Sequence, residues 1–197
     1  RVYGLGQLGE VEGKIYKDWQ IIDSIPHEAR IERLGLDFGY ANDPAVLCAI
    51  YYYNGGYIVD QLLYKTHMSN RKVADFIVSS GRENVLCVAD SSEPKSIAEM
   101  LEHGVQIIGS NKGGGSVLQG IQWVQDQRMS LTKRSVDLIK EYRNYMWMTD
   151  RDGKIIDKPE HEFSHGMDAI RYAMETLRPS SDKEKIYTSG NITKIWG

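Results

Sequence analysis

The chain has 197 residues, 41% hydrophobic and 26% charged, a composition typical of one globular domain and not of a disordered or fibrous protein. No apolar run reaches the roughly 18 residues that cross a bilayer, which favours a soluble, intracellular protein. The formal net charge of −3 excludes a simple basic nucleic-acid binder, so any polyanion must bind a local basic patch. Cys48 and Cys87 lie in apolar runs, which favours buried thiols over a disulfide framework or a zinc site.

The first part of the chain predicts a connector followed by an antiparallel meander. Residues 1–30 are rich in glycine and charge and are interpreted as a connector from a neighbouring domain. Residues 34–39, 45–53 and 57–64 then alternate or run apolar as strands do, and short turns at 42–44 and 54–56 join them. Strands joined by such short turns pair antiparallel.

The second part predicts alternating helices and strands. Helical spacing after Ser69 precedes a strand over 84–89 that ends on Asp90, and a helix from Pro94 leads to a strand over 105–108. A strand, a helix and a second strand in this order form a β-α-β unit, in which the two strands are parallel. Further elements are predicted as helices near 117–124, 136–143 and 164–177, a strand over 129–132, and a hairpin turning at 152–153. The predicted class is α/β, with a central mixed sheet flanked by helices and a polar tail over 180–197.

Three aspartates lie where an unpaired carboxylate is costly. Asp37 is in or at the end of an apolar strand, Asp90 ends another, and Asp168 is on the apolar face of the last helix with His165 one turn earlier. Each acid alone is best explained as a cap, a surface charge or an ion pair, but together they indicate a cation. Their oxygen ligands select Mg²⁺ or Mn²⁺ over zinc.

The sequence around these acids resembles the nuclease domain of tailed-phage large terminase subunits, which has a ribonuclease H-like fold. The resemblance rests on the runs 35–44, 89–97 and 165–173, and extends through 132–135 and 138–145. It implies a ribonuclease H-like domain over 31–179 that cuts concatemeric viral double-stranded DNA in the cytoplasm of the infected host. It also implies an ATPase domain before Arg1, and the portal protein and the small terminase subunit as partners.

The same resemblance implies two-metal hydrolysis. Asp37 would bridge two ions, with Asp90 on one and Asp168 on the other. His165 would orient Asp168, ligate a metal or move a proton. Asp43 is a candidate extra ligand, and an Asp-Pro turn cap explains it equally well.

Several basic residues offer a track for the DNA backbone without base reading. They are Lys95, Lys112, Lys133, Arg134, Lys140 and Arg143. Two alternatives remain open: a junction resolvase or integrase of the same fold, and a catalytically silent DNA clamp and docking module of a packaging motor. No Walker A motif is present, so ATP hydrolysis by this chain is not expected.

Overall fold

The computed structural model describes residues 12–111 and 113–179, which form a seven-stranded sheet, a two-stranded hairpin and five helices. The strands are β1 (Gln20–Ile22), β2 (Arg30–Asp37), β3 (Ala45–Tyr53), β4 (Gly56–Lys65), β5 (Cys87–Ala89), β6 (Ile107–Gly109), β7 (Met129–Thr132), β8 (Trp147–Thr149) and β9 (Ile155–Pro159). The helices are α1 (Asn70–Ser79), α2 (Pro94–Glu102), α3 (Ser116–Gln125), α4 (Val136–Asn144) and α5 (His165–Glu175).

The main sheet is mixed, with the order β1-β7-β4-β3-β2-β5-β6. β3 runs antiparallel to β2 and β4, while every other adjacent pair in this sheet is parallel. The predicted meander and parallel strands are therefore confirmed. Because β2, β4, β5 and β7 share one direction, their carboxyl ends meet at one edge, where ligand sites of such sheets gather.

Strand alternation divides the core into two layers around the central strand β3. Val46, Cys48 and Ile50 face the layer that contains α3, α4 and α5. Ala45, Leu47 and Ala49 face the layer that contains α1 and α2. Both faces of β3 are fully buried, which is why its first six residues form a continuous apolar run.

Residues 12–30, which belong to the predicted connector, lie against this sheet. β1 pairs with β7, and Ile15, Tyr16 and Trp19 are buried in the core layer of α3, α4 and α5. The rings of Trp19 and Tyr142 stack with centroids 4.9 Å apart. The predicted polar tail over 180–197 and the candidate DNA contact Lys112 lie outside the described residues. Within the described residues, no helix is long and apolar enough to cross a membrane.

Candidate active site

Two of the predicted acids lie at the carboxyl edge of the sheet on neighbouring strands. Asp37 is the last residue of β2, and Asp90 directly follows β5, which pairs with β2 in parallel. Asp37 is mostly buried, with 14% of its side chain exposed. The topology thus brings together two acids that are 53 residues apart in the sequence.

A glycine lets α5 approach β2 closely enough to reach this edge. A Cβ atom on Gly35 would collide with the backbone carbonyl of Ala169, which has no freedom to move aside. Gly35 and Asp37 point to the same face because they are two residues apart on a strand. Because residue 35 has no side chain, α5 packs directly on β2, and the first turn of α5, with His165 and Asp168, lies beside Asp37.

His165 links the helix directly to the strand. Its Nδ1 lies 2.9 Å from Oδ2 of Asp37, and its Nε2 lies 3.5 Å from Oδ1 of Asp43. The hydrogen bond to Asp37 raises the pKa of His165 against the opposing effect of burial. The imidazole thus bonds to Asp37 and not to Asp168, the partner that helical spacing suggests, and it also draws Asp43 to the site.

The other two aspartates are also held by protein groups. Asp90 accepts hydrogen bonds from the backbone N–H and the hydroxyl of Ser92, at 2.8 and 2.7 Å. Asp168 accepts one from Arg171 at 2.9 Å. Within residues 12–111 and 113–179, no group of three or more His, Cys, Asp or Glu side chains is arranged so that it could hold a metal ion in this conformation.

The other two aspartates are nevertheless near enough to affect the ionisation of Asp37. The pKa of Asp37 is raised to about 6: burial is the main cause, the hydrogen bond to His165 lowers the pKa, and the charges of Asp168 and Asp90 add to the rise. Tyr172 senses the same charges, since burial first and then Asp168, Asp37 and Asp90 raise the pKa of its phenol. The site is therefore a region of concentrated negative charge around one face of α5.

Comparison with known proteins identifies the fold and its family. A family model described as the terminase RNAseH like domain matches residues 37–176, a range that begins at Asp37 and ends just after α5. The chain belongs to this family. The large terminase subunit of Bacillus phage SPP1 is 34% identical over 183 residues, covering 85% of this chain and 43% of that protein. The PBSX phage terminase large subunit of Bacillus subtilis is 28% identical over 168 residues, covering 78% and 36%. The chain thus spans about two fifths of these relatives.

Solved structures agree with this assignment. The large terminase nuclease domain of phage SPP1, solved with bound Mn, superposes with a TM-score of 0.73 at 31% identity, covering 83% of this chain and 98% of that chain. The large terminase nuclease of thermophilic phage G20c, with bound magnesium, superposes with a TM-score of 0.61 at 16% identity, covering 85% and 98%. The second likeness supports the fold alone.

One residue of the terminase domain that sequence reasoning missed is Glu141 of α4. Its side chain is almost fully buried and its Oε2 accepts the backbone N–H groups of Gly166 and Met167 at 2.5 and 3.2 Å. Its Oε1 accepts the Tyr64 hydroxyl at 2.7 Å. Ser164, the residue before α5, makes no side-chain capping bond, so Glu141 satisfies the helix start from another element.

The basic residues proposed from the sequence occupy three places in the fold. Lys133 and Arg134 follow β7 at the same sheet edge as Asp37, Lys95 is exposed in the first turn of α2, and Lys140 and Arg143 are exposed on α4. The Arg134 guanidinium pairs with the fully buried carboxylate of Asp60, with Nε 2.7 Å from Oδ1. Lys133 lies 3.8 Å from the exposed Asp23.

Proposed function

We propose that this chain is the nuclease domain of a phage large terminase subunit and that it cuts concatemeric double-stranded viral DNA during genome packaging. One observation carries the proposal: Asp37 and Asp90 end neighbouring parallel strands, and Asp168 lies in the first turn of the helix whose His165 bonds to Asp37. The charges of Asp168 and Asp90 raise the pKa of the buried Asp37, so placing these carboxylates near one another carries an electrostatic cost. Such crowding is typical of a site that binds cations.

The donor set fits Mg²⁺ or Mn²⁺. Aspartate oxygens are the ligands that hard divalent ions prefer, and Mg²⁺ keeps several water ligands, so it needs no closed cage of protein groups. Asp37, Asp90 and Asp168 would hold two ions, with Asp43 and His165 as further candidate ligands. The ions would supply charge stabilisation for both the attacking water and the leaving 3′ oxygen of a phosphodiester.

The residues of the chain have separate tasks in this proposal. Asp37 lies at the end of β2, beside β5 and the first turn of α5, and would serve as a ligand to the ions. His165 holds the Asp37 carboxylate through Nδ1, which fixes the orientation of its oxygens. Its Nε2 points toward Asp43 near the exposed rim, where it would take up or release a proton.

DNA would bind along the edge of the sheet. Lys133 and Arg134 lie on the same edge as Asp37, three strands away, which corresponds to about 14 Å at the usual strand spacing. These are phosphate-directed contacts, so cleavage is expected to be tolerant of sequence and sensitive to salt. A preceding ATPase domain, the portal protein and the small terminase subunit are proposed partners of the longer protein, acting in the host cytoplasm.

Incubation with supercoiled plasmid tests the proposal. The wild-type chain should nick and linearise plasmid with Mn²⁺ or Mg²⁺, and a chelator should stop it. Asp37→Asn and Asp90→Asn should be inactive at equal concentration while still binding DNA in a gel-shift assay. DNA binding without metal-dependent cleavage by the wild-type chain would instead indicate a silent clamp. Cleavage confined to four-way junctions would indicate a resolvase.

A further inference from the structure

A cleft opens beside Asp37, on the opposite side of β2 from α5. Its volume is about 410 Å³, within the range of small-molecule sites. One wall is formed by Phe38 and Tyr40, which follow Asp37, and another by Glu93 and Glu99, which follow Asp90. The cleft is therefore lined by residues that directly follow Asp37 in the chain and by residues that come shortly after Asp90.

The lining excludes phosphate and suits a base. The described residues that line the cleft include no lysine or arginine, while Glu93 and Glu99 contribute negative charge. A phosphate would be repelled there. Phe38, Tyr40 and Met68 provide apolar surface instead, and a flat aromatic ligand with N–H donors would complement both the apolar wall and the carboxylates.

Tyr40 is placed as a stacking surface. Its side chain belongs to the most exposed large apolar groups of the described chain, at 61%. Its ring packs against His67 in a T-shaped pair with centroids 5.9 Å apart and an interplanar angle of 84°, and its carbonyl accepts the backbone N–H of His67. These contacts fix the position of Tyr40, while its 61% exposure leaves ring surface open for a base.

Glu99 is preorganised to accept hydrogen bonds. The Asn70 amide donates to Oε2 of Glu99 at 2.8 Å, which orients the carboxylate within the cleft wall. An oriented carboxylate accepts from the exocyclic amino groups of guanine, adenine and cytosine, whereas thymine has no such group.

We propose that this cleft binds one unstacked nucleobase next to the scissile phosphate, with Tyr40 as the stacking residue and Glu99 as the acceptor for base amino groups. The proposal rests on the proposed nuclease function, since it assigns the base to the substrate of the same site. Stacking on one aromatic ring offsets part of the cost of unstacking a base, so the cleft would bias the position of cutting without imposing a recognition sequence.

Binding of short single strands to the Asp37→Asn protein tests the cleft separately from catalysis. The probes are fluorescent pentamers with thymidine on both sides and a central dG, dA, dC, dT or abasic site, measured by anisotropy. The protein should prefer amino-bearing bases to dT and should bind the abasic probe most weakly. Tyr40→Ala should weaken binding of the base-bearing probes by about 5- to 100-fold, and Tyr40→Trp should restore it. Glu99→Ala, which has no acceptor oxygen, should remove the preference over dT.

Tyr53→Ala is the matched control, because Tyr53 is exposed at the opposite end of β3. Equal binding by Tyr40→Ala and Tyr53→Ala, or equal binding of the abasic and dG probes, would overturn the proposal. In the wild-type chain, sequenced plasmid ends should show a base bias that Tyr40→Ala removes. Failure of cleavage with intact, Tyr40-dependent pentamer binding would reject the nuclease function and keep the cleft. Cleavage with unchanged ends in Tyr40→Ala would reject the cleft and keep the nuclease.

Discussion

The His165 imidazole and the Asp37 carboxylate, 128 residues apart in the sequence, lie 2.9 Å from each other through Nδ1 and Oδ2. This contact joins the first turn of α5 to the end of β2. The hydrogen bond lowers the pKa of Asp37, against the larger rise that burial causes, and it raises the pKa of His165. The bond therefore connects the electrostatics of the site to the packing of the helix on the sheet.

The stability of the protein without added metal should depend on Asp37 in a defined pH window. Because its pKa is raised from 3.8 to about 6, the folded state binds the Asp37 proton more tightly than the unfolded state, and ionisation costs stability as pH rises from 4 to 6. Asp37→Asn removes this cost and should be more stable than wild type at pH 8, by about 1–3 kcal/mol. The gain should vanish near pH 4.

The same substitution removes the negative charge that faces His165. The raised pKa of His165 in the wild-type protein stabilises the folded state at low pH, and this stabilisation is lost as pH rises through the raised value. Asp37→Asn should therefore be no more stable than wild type at pH 5. Thermal melts across pH 4–8 check both parts. A melting temperature far below wild type at pH 8 would mean that Asp37 is a structural residue.

His165 should matter through Asp37. His165→Ala frees the Asp37 carboxylate to rotate and is expected to lower activity and apparent Mn²⁺ affinity by about 10- to 100-fold, the usual cost of losing an orienting partner. In an Asp37→Asn background the same change should cause no further loss of Mn²⁺ binding, because the carboxylate that His165 orients is already gone. Calorimetric Mn²⁺ titration measures this, with the exposed His161→Ala as control. Additive effects would place His165 in a separate role.

Asp168 should be needed for cleavage itself. Asp168→Ala should abolish activity, and adding His165→Ala should change nothing further. The variant also frees the Arg171 guanidinium, which retains its 3.0 Å bond to Glu175, so the fold should persist. Initial rates of plasmid cleavage at saturating Mn²⁺ give the answer. Wild-type rates in Asp168→Ala would remove this residue from the proposed site.

Glu141 should position α5. Glu141→Ala leaves the N–H groups of Gly166 and Met167 and the Tyr64 hydroxyl without their acceptor, at a cost of about 2–4 kcal/mol. Activity should fall at least 10-fold with little change in the KM for DNA. Glu141→Gln keeps an acceptor oxygen and should recover most stability and activity. Melting curves and steady-state rates of the two variants test this prediction. Equal losses of stability and activity in both variants would mean that the charge of Glu141 matters and not its hydrogen bonds.

Two neighbouring basic residues should respond differently to alanine. Arg134→Ala removes the guanidinium from the fully buried Asp60 and is expected to destabilise the fold by about 1–3 kcal/mol. Lys133→Ala should leave the melting temperature unchanged, lower DNA affinity and reduce the salt dependence of binding by about one counterion. Anisotropy with duplex DNA at several salt concentrations measures this, and an unaltered salt slope would exclude Lys133 from the DNA path.

Much of the fold was predictable because it depends on local patterns. The apolar runs and the turn at 54–56 predict β3 and β4. The hydroxyl of Ser69 caps α1, as its residue type predicts, by accepting the Lys72 N–H. The order of the sheet was not predictable in this way. The pairing of β1 with β7 depends on packing between segments more than 100 residues apart.

The sequence predicts a site residue only where a carboxylate lies in or next to an apolar run. Asp37 and Asp90 are conspicuous at the ends of apolar runs. Glu141 is not conspicuous, because a glutamate on an amphipathic helix reads as an ordinary exposed residue until the position of α5 is known. The need for glycine at 35 likewise depends on the approach of Ala169, which the sequence does not specify.

Crystals of the wild-type chain soaked in Mn²⁺ and measured at the manganese edge test the central claim most directly. We predict anomalous peaks bounded by Asp37, Asp90 and Asp168, with Asp168 turned from Arg171 toward the ion, and no peak in Asp37→Asn crystals. A peak bound by other residues, or none at saturating Mn²⁺ in crystals of a cleaving protein, would contradict it.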